Sequence, residues 1–276
     1  MRQSFVSPTV YLDYWAIRLF SDDLHLQDRF VSALMSKGGT LLLSSFSFVE
    51  FAAASDPKHC YDTETFIERL LPNIYLTDFA LDKVLERENG ESNNLKRFWP
   101  PADLPQLKFF VERTQPGSSG LTMRGFISLS HEYRTQLSQS IEELIRMVGD
   151  GLNSVRNDAS YIAKTRKAHL SDERPRTLLI LGELLRDFNL DPKATISRND
   201  IIDLFHAAMP LNCCDYILLD GPWAERVAKM KHRISKTSMK MPVAKCFSRR
   251  DNGVESFLVD IDTFDNVTHL PDAACP

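Results

Sequence analysis

The chain has 276 residues, of which 43% are hydrophobic and 25% are charged, and this is the composition of an ordinary globular protein. Its length fits one large domain or two small ones. The formal net charge of −4 gives the molecule as a whole no general affinity for polyanions. No stretch approaches the roughly 20 apolar residues that span a bilayer, so we predict no association with a membrane.

The N-terminus and the cysteines both favour a cytoplasmic protein. The first residues lead directly into a strand pattern, without the apolar segment and small-residue cleavage site of a signal peptide. The five cysteines are an odd number without CxxC spacing, which argues against a disulfide framework and a zinc ribbon. We therefore expect a protein of the reducing cytoplasm.

Strand and helix patterns alternate over residues 1–88. Apolar runs predict three strands, at 9–13, 40–43 and 74–77. Helical spacing of apolar residues predicts five helices, at 14–20, 24–35, 46–55, 63–71 and 79–87. Gly38 and Gly39 end the second helix, because glycine tolerates the left-handed conformation of a C-terminal cap. Ser45 or Ser47 is expected to cap the third. This alternation predicts a parallel α/β sheet.

The middle of the chain departs from this alternation. Residues 89–122 are rich in Asn, Pro, Gly and Ser, including the run 116–120, and predict a long loop with little helix. Residues 124–170 predict mostly helix, followed by another helix at 177–188. We interpret residues 89–195 as a helical insertion or cap.

The α/β pattern returns at residue 197 with a helix, a strand at 214–219 and a helix at 221–232. Alternating residues at 256–261 predict a last strand. Residues 1–88 and 196–276 therefore form the predicted α/β core.

Four acidic residues occupy positions where a loop meets a core element. Asp13 and Asp220 each end an apolar strand, Glu50 closes the run 44–49, and Asp203 lies within an apolar helix. Ligands bind at the carboxyl ends of the strands of open α/β sheets. Converging carboxylates would repel one another unless a cation neutralised them, and hard oxygen ligands favour Mg²⁺ or Mn²⁺.

Several of these residues have a second interpretation. Asp13 and Asp220 could each cap the helix that follows, and Asp200 could form a capping box with Ser197. Asp200 and His206 share a helical face with Asp203, so they could also hold the metal ligands in place from behind. A lone histidine is more often an interior residue. Asp215, at the opposite end of its strand, is predicted to form a salt bridge or a cap.

A basic tract follows the last acid. Residues 226–250 contain nine Lys or Arg and no acid, so the net charge of −4 leaves −13 for the remainder. We predict that this tract contacts the phosphate backbone of a nucleic acid, through Lys229, Lys231, Arg233 and Lys236. A solvated helix face is the alternative. Aromatic residues nearby (Phe98, Trp99 and Trp223) could stack on bases but more often fill cores.

Other chemistries lack their motifs. The sequence contains no P-loop, no dinucleotide-binding glycine motif and no GxSxG nucleophile elbow. A haloacid-dehalogenase-like phosphatase would need an Asp two residues after Asp13, where this chain has Trp15.

The order of these features resembles the PIN-domain nucleases. The matching residues are Asp13, Glu50 after a Ser-rich turn, Asp203 before Ala207 and Ala208, and Asp220. The resemblance covers roughly residues 8–85 and 197–232. It implies a PIN-like three-layer α/β/α core with a parallel sheet. PIN domains are usually compact, so the large helical insertion departs from their pattern and suggests a specialised substrate or regulatory cap.

The resemblance also implies an activity. The four acids would hold one or two Mg²⁺ or Mn²⁺ ions and hydrolyse phosphodiester bonds to 5′-phosphate and 3′-hydroxyl products. RNA is the favoured substrate, and DNA is left open. A catalytically inactive PIN-like module that binds protein or RNA is the alternative. A toxin–antitoxin or defence role, an inhibitory protein partner and a homodimer are left open.

Overall fold

A computed structural model describes residues 3–90, 98–113, 122–167, 170, 174–191 and 193–265. Five parallel strands form one sheet, in the order β3-β2-β1-β4-β5. The strands are β1 (Thr9–Leu12), β2 (Thr40–Ser44), β3 (Ile74–Thr77), β4 (Tyr216–Leu218) and β5 (Lys245–Phe247). The predicted parallel α/β sheet is confirmed.

The strand order reverses between β1 and β4. From β1 the chain adds β2 and β3 on one side, whereas β4 and β5 extend the sheet on the other. Val10 pairs with both Leu41 of β2 and Tyr216 of β4, so β1 is central. Such a reversal opens a crevice outside the carboxyl ends of the two central strands.

Within the described ranges, seven helices precede the long α8 helix. They are α1 (Tyr14–Asp22), α2 (Leu24–Ser36), α3 (Ser45–Ala52), α4 (Pro57–Glu68), α5 (Leu81–Asn89), α6 (Leu104–Arg113) and α7 (Phe126–Glu132). The second predicted helix ends as expected, since Gly38 has a φ of 64° after the cap residue Lys37. Ser44 rather than Ser45 caps α3, and Ser47 completes its capping box.

Seven further helices complete the described chain. They are α8 (Arg134–Asn157), α9 (Ala159–Lys167), α10 (Arg176–Leu184), α11 (Arg186–Leu190), α12 (Arg198–Cys213), α13 (Gly221–Ser235) and α14 (Gly253–Asp262). The helix predicted at 177–188 is therefore divided in two, at Leu185. None of the described helices combines the length and apolar character needed to cross a membrane.

Helices cover both faces of the sheet. Val10 and Leu12 of β1 point into one core with Phe20 of α1 and Phe257 of α14. Tyr11, between them, points into the other core, which contains residues of α10, α12 and α13. Successive side chains of a strand face opposite sides, so a strand covered on both faces is continuously apolar.

Two predictions were wrong: the strand at 256–261, and part of the loop at 89–122. Residues 256–261 belong to helix α14, because Phe257, Leu258 and Ile261 lie on one buried helical face while Val259 is 42% exposed. The edge strand is instead β5, whose three residues are too short for a periodic signal. Part of the predicted loop at 89–122 is helix α6, which buries Phe110.

The predicted insertion also contributes to both cores. Phe110 and Ile127 pack in the core that contains Phe20, and Ile180 and Leu184 pack in the other. The segment therefore supports the sheet as well as extending from it. Its predicted boundaries stay a prediction, and the run 116–120 lies outside the described residues.

Candidate metal and nucleic-acid site

Asp13 and Asp220 flank the crevice at the reversal of strand order. Asp13 caps α1 and accepts a hydrogen bond from the Tyr14 N–H at 2.8 Å. Asp220 caps α13 and accepts from the Trp223 N–H at 3.0 Å. The Asp13 N–H donates to the Leu218 carbonyl at 3.0 Å, which ties the two strand ends together. Both residues cap helices, and both also lie where a ligand is expected.

Asp203 lies in the middle of α12 beside these two residues. Its Oδ2 accepts a hydrogen bond from Trp223 Nε1 at 3.1 Å, so the indole ring joins α12 to α13. Burial, together with the charges of Asp13, Asp220 and Glu50, raises the pKa of Asp203 to about 7. The chain thus brings together four acids that are far apart in sequence.

Asp13 shows the same mutual repulsion. Burial is the main reason that its pKa is raised to about 6; the charge of His206 opposes this increase, and the charges of Glu50 and Asp220 contribute to it. Ionised carboxylates that repel one another destabilise the folded protein. Asp13 and Asp203 therefore lie on the same side of the molecule, as a shared site requires.

Glu50 reaches this group from the last turn of α3 through His206. The buried His206 places Nε2 3.1 Å from Glu50 Oε2, and its Nδ1 is paired with the Tyr11 hydroxyl. Burial opposes the protonation of His206, but the charges of Glu50, Asp13 and Asp203 outweigh it and raise its pKa. His206 thus contacts Glu50, rather than Asp203 as one interpretation of its spacing had predicted.

The contact between Glu50 and His206 is electrostatic. Although Glu50 Oε2 and His206 Nε2 are close, neither has a hydrogen bond of good geometry among the described residues. A buried polar atom without such a partner is costly. Glu50 Oε2 is therefore an acceptor that a cation in the crevice could satisfy.

Asp200 acts as a helix cap. Its Oδ2 accepts from the Ser197 N–H at 2.9 Å and from the Ser197 hydroxyl at 2.6 Å, which completes a capping box at the start of α12. It influences the acids only through its charge, which raises the pKa of Asp220. Its predicted role behind the metal ligands is thus limited to electrostatics.

The donors of the site suit a hard cation, but their arrangement is not that of a closed coordination sphere. Four carboxylates offer the oxygen ligands that Mg²⁺ and Mn²⁺ prefer. Yet within the described ranges, no three Asp, Glu, His or Cys side chains are arranged to hold one ion. Each carboxylate instead faces a partner in the protein, as with Asp203 and Trp223. An ion would require rotations of these side chains.

The basic tract divides into a half near the acids and a half far from them. Arg226 and Arg250 lower the pKa of Asp220, whose overall pKa is raised by burial. Lys236 is the C-cap of α13, and Asp220 is its N-cap. At a rise of about 1.5 Å per residue, the two caps are about 24 Å apart along the helix axis. Distance along α13 thus separates Arg226 from Lys236, whereas Arg250 affects Asp220 from the segment after β5.

The four residues predicted to bind nucleic acid belong mostly to the distant group. Lys229 pairs with Glu225 at 3.1 Å and Asp187 at 3.5 Å, and Arg233 is paired with Glu183. Lys231 is half-buried and Lys236 is exposed. These ion pairs offset part of the charge on α13, and a role of the four in binding stays a prediction.

Sequence reasoning missed Tyr11, and it included Arg226 and Arg250 only as members of the basic tract. Tyr11 supports His206, and Arg226 and Arg250 supply the positive charge beside Asp220. The Cζ atom of Arg226 lies 3.9 Å from the centre of the Phe188 ring, and this contact fixes the direction of the Arg226 side chain. The positions of the two arginines in the sequence could have indicated this role, because Arg226 follows Asp220 on the same helix and Arg250 follows the next strand.

The predicted stacking aromatics are core residues instead. Phe98 and Trp223 are 4% and 3% exposed, and Trp99 packs against the same core. The indole N–H of Trp223 reaches the site, through its hydrogen bond to Asp203.

A cavity of about 290 Å³ opens beside the acids, between α3 and the start of α12. Glu50 and Asp203 form part of its wall. The remaining lining residues come from three helices and are Tyr14, Phe46, Val49, Ala53, Arg198, Asn199 and Ile202. The crevice therefore continues into a pocket of mixed apolar and polar character.

Comparisons with known proteins add no further information about this site. No model of a protein family matches the chain, and neither a curated protein nor a solved structure is significantly similar to it.

Proposed function

We propose that this protein is a divalent-metal-dependent nuclease of the PIN-like type, which hydrolyses phosphodiester bonds with RNA as the favoured substrate. The proposal depends on one observation: at the strand-order reversal of a parallel sheet, burial and the charges of Asp13, Asp220 and Glu50 together raise the pKa of Asp203. Repulsion of this kind destabilises a folded protein, and strongly perturbed carboxylates are typical of functional sites.

The four acids would hold Mg²⁺ or Mn²⁺, after the side-chain rotations described above. When bound, such an ion lowers the pKa of water and stabilises charge on a phosphodiester. The protein itself positions the ligands: His206 lies against Glu50, and Trp223 holds Asp203. Arg226 and Arg250 place positive charge beside Asp220, where a substrate phosphate would be attracted.

Cleavage of labelled single-stranded RNA in Mn²⁺, with wild-type protein and Asp13→Asn, tests the proposal. We expect the variant to be about 100-fold slower or worse, since it lacks one ionic ligand while Asn still caps α1. Asp23→Asn is the matched control, because Asp23 caps α2 in the same way but lies outside the site. Equal rates for wild type and Asp13→Asn would refute the nuclease.

An inactive PIN-like binding module is the second candidate, and the lack of a closed ligand set among the described residues favours it. Thermal unfolding with and without Mn²⁺ separates the two. A nuclease should be stabilised by Mn²⁺, and Asp13→Asn much less so, because the ion binds only the folded site. A toxin–antitoxin role, an inhibitory partner and a homodimer stay predictions.

The two halves of the basic tract give a paired prediction. Arg250→Gln should weaken binding of single-stranded RNA about three- to tenfold and reduce the salt dependence by about one phosphate contact. Lys229→Gln should leave affinity unchanged, since Lys229 already pairs with Glu225 and Asp187. Fluorescence anisotropy at several salt concentrations measures both. A larger loss for Lys229→Gln would instead favour the distant half of α13 as the binding surface.

A further inference from the structure

The cavity beside the acids has rigid aromatic and apolar walls. The Phe46 ring is backed by Phe205, with centroids 5.1 Å apart and planes at 12°. Tyr14 is backed by Phe51 at 6.2 Å and 30°. Ile202 is 8% exposed and packs in a small cluster with Ile145 of α8. These walls are supported from behind, so a flat apolar ligand would meet a preformed surface.

The rim of the cavity carries polar groups suited to a heteroaromatic ring. Asn199 is exposed in the first turn of α12, and its amide offers both a donor and an acceptor. Its neighbour Arg198 is paired with Glu142 of α8, which holds the guanidinium at the rim. An apolar pocket with a few fixed polar groups is the usual form of a small-ligand site, and about 300 Å³ is its lower size limit.

The cavity is continuous with the four-acid site, because Glu50 and Asp203 belong to both. A ligand that filled it would thus have its next chemical group beside the carboxylates. In a nucleic acid, a base and its adjoining phosphate have that relation. A base within a duplex is stacked and paired, whereas an unpaired base is free to enter a pocket.

We propose that this cavity binds one unpaired nucleobase of a single-stranded nucleic acid, with the adjoining phosphate beside Asp203 and Glu50. The choice of a nucleic acid as the ligand rests on the proposed function, whereas the size and the walls of the pocket do not. The substrate class is then a single strand, and Asn199 and Arg198 would contact the edge of the base.

Ala53→Phe tests the pocket without altering an acid. Ala53 is an exposed lining residue with right-handed backbone angles, so the larger ring is tolerated and occupies the cavity. Ala163→Phe, at an exposed position of α9 outside the lining, is the matched control. Both are made in Asp13→Asn protein without metal, so that cleavage does not interfere. Fluorescence anisotropy then measures binding of a labelled eight-nucleotide single strand of random sequence and of an abasic strand of equal length.

We expect Ala53→Phe to weaken binding of the intact strand about tenfold and that of the abasic strand less than twofold. Ala163→Phe should change neither, and a duplex should compete poorly with the single strand. The proposal is overturned if Ala53→Phe binds the intact strand normally, or weakens both strands equally, or if the parent protein does not distinguish the two strands.

The binding test and the cleavage test can fail independently of each other. Base-dependent binding without Mn²⁺-dependent cleavage would refute the nuclease and retain the pocket. Cleavage that depends on Asp13, with no effect of Ala53→Phe on binding, would refute the pocket alone.

Discussion

Asp203→Asn should abolish cleavage of single-stranded RNA and, at pH 8, make the protein more stable. The activity falls because an ionic ligand is lost, by about 100-fold or more. The stability rises because the folded protein no longer holds a repelled, half-buried carboxylate. Asn keeps an oxygen that can accept the hydrogen bond from Trp223 Nε1.

The direction of the pH dependence follows from the raised pKa. The folded protein has a pKa of about 7 for Asp203, against 3.8 ordinarily. Between these values the folded state binds more protons than the unfolded state, so stability falls as pH rises through that window. Above pH 7 the whole penalty is present, and below about pH 4 it is absent. The advantage of Asp203→Asn should therefore grow from pH 4 to pH 8.

Urea unfolding of wild type and Asp203→Asn across this pH range measures the effect. Because Asp203 is partly exposed, we expect the variant to gain only about 1–2 kcal/mol at pH 8. Asp150→Asn is the control, since that side chain is 72% exposed on α8 and should show no such gain. A variant that is less stable than wild type at pH 8, or that still cleaves RNA normally, would contradict this account of the site.

Asp215→Ala should have the opposite effect: it should make the protein less stable but leave the cleavage activity of the folded protein unchanged. Asp215 is buried just before β4, at the end of that strand away from Asp220. Its Oδ2 accepts from the Thr9 N–H at 2.8 Å and the Thr9 hydroxyl at 2.9 Å, which joins β4 to β1. Removing the carboxylate leaves these donors buried without their acceptor. We therefore expect the free energy of unfolding to fall by about 2–3 kcal/mol.

Asp220→Asn is the matched comparison for Asp215→Ala. Asn can still cap α13, so this variant should unfold almost like wild type but cleave about 100-fold more slowly or worse. Urea unfolding and initial cleavage rates at a low temperature, where Asp215→Ala remains folded, separate the two effects. Loss of cleavage in folded Asp215→Ala would show that the N-terminal edge of the sheet also belongs to the site.

The pattern of apolar residues already determined the type of fold. A strand buried on both faces reads as a nearly continuous apolar run, and residues 10–12, 41–43 and 74–76 have that property, with Thr or Ser only at the strand ends. The same reasoning failed where elements were short or ambiguous. Lys245–Phe247 is only three residues long, and Gly253–Asp262 contains a stretch whose alternation competes with its helical spacing.

The positions of Asp13 and Asp220 after strands were also visible in the sequence, because parallel strands present their carboxyl ends at one edge. Which other side chains meet them was decided by packing alone. His206 shares a helix with Asp203 but contacts Glu50, and Lys229 follows Asp220 yet pairs with Asp187.

Local sequence thus determined the helices and strands, and the strand ends at which the acids lie, because both depend on the periodicity and burial of apolar residues. The tertiary structure decided the pairing of charges, the pocket at Ala53 and the nearness of Arg250 to Asp220. Those features depend on distances between elements far apart in the chain, and no local pattern encodes such distances.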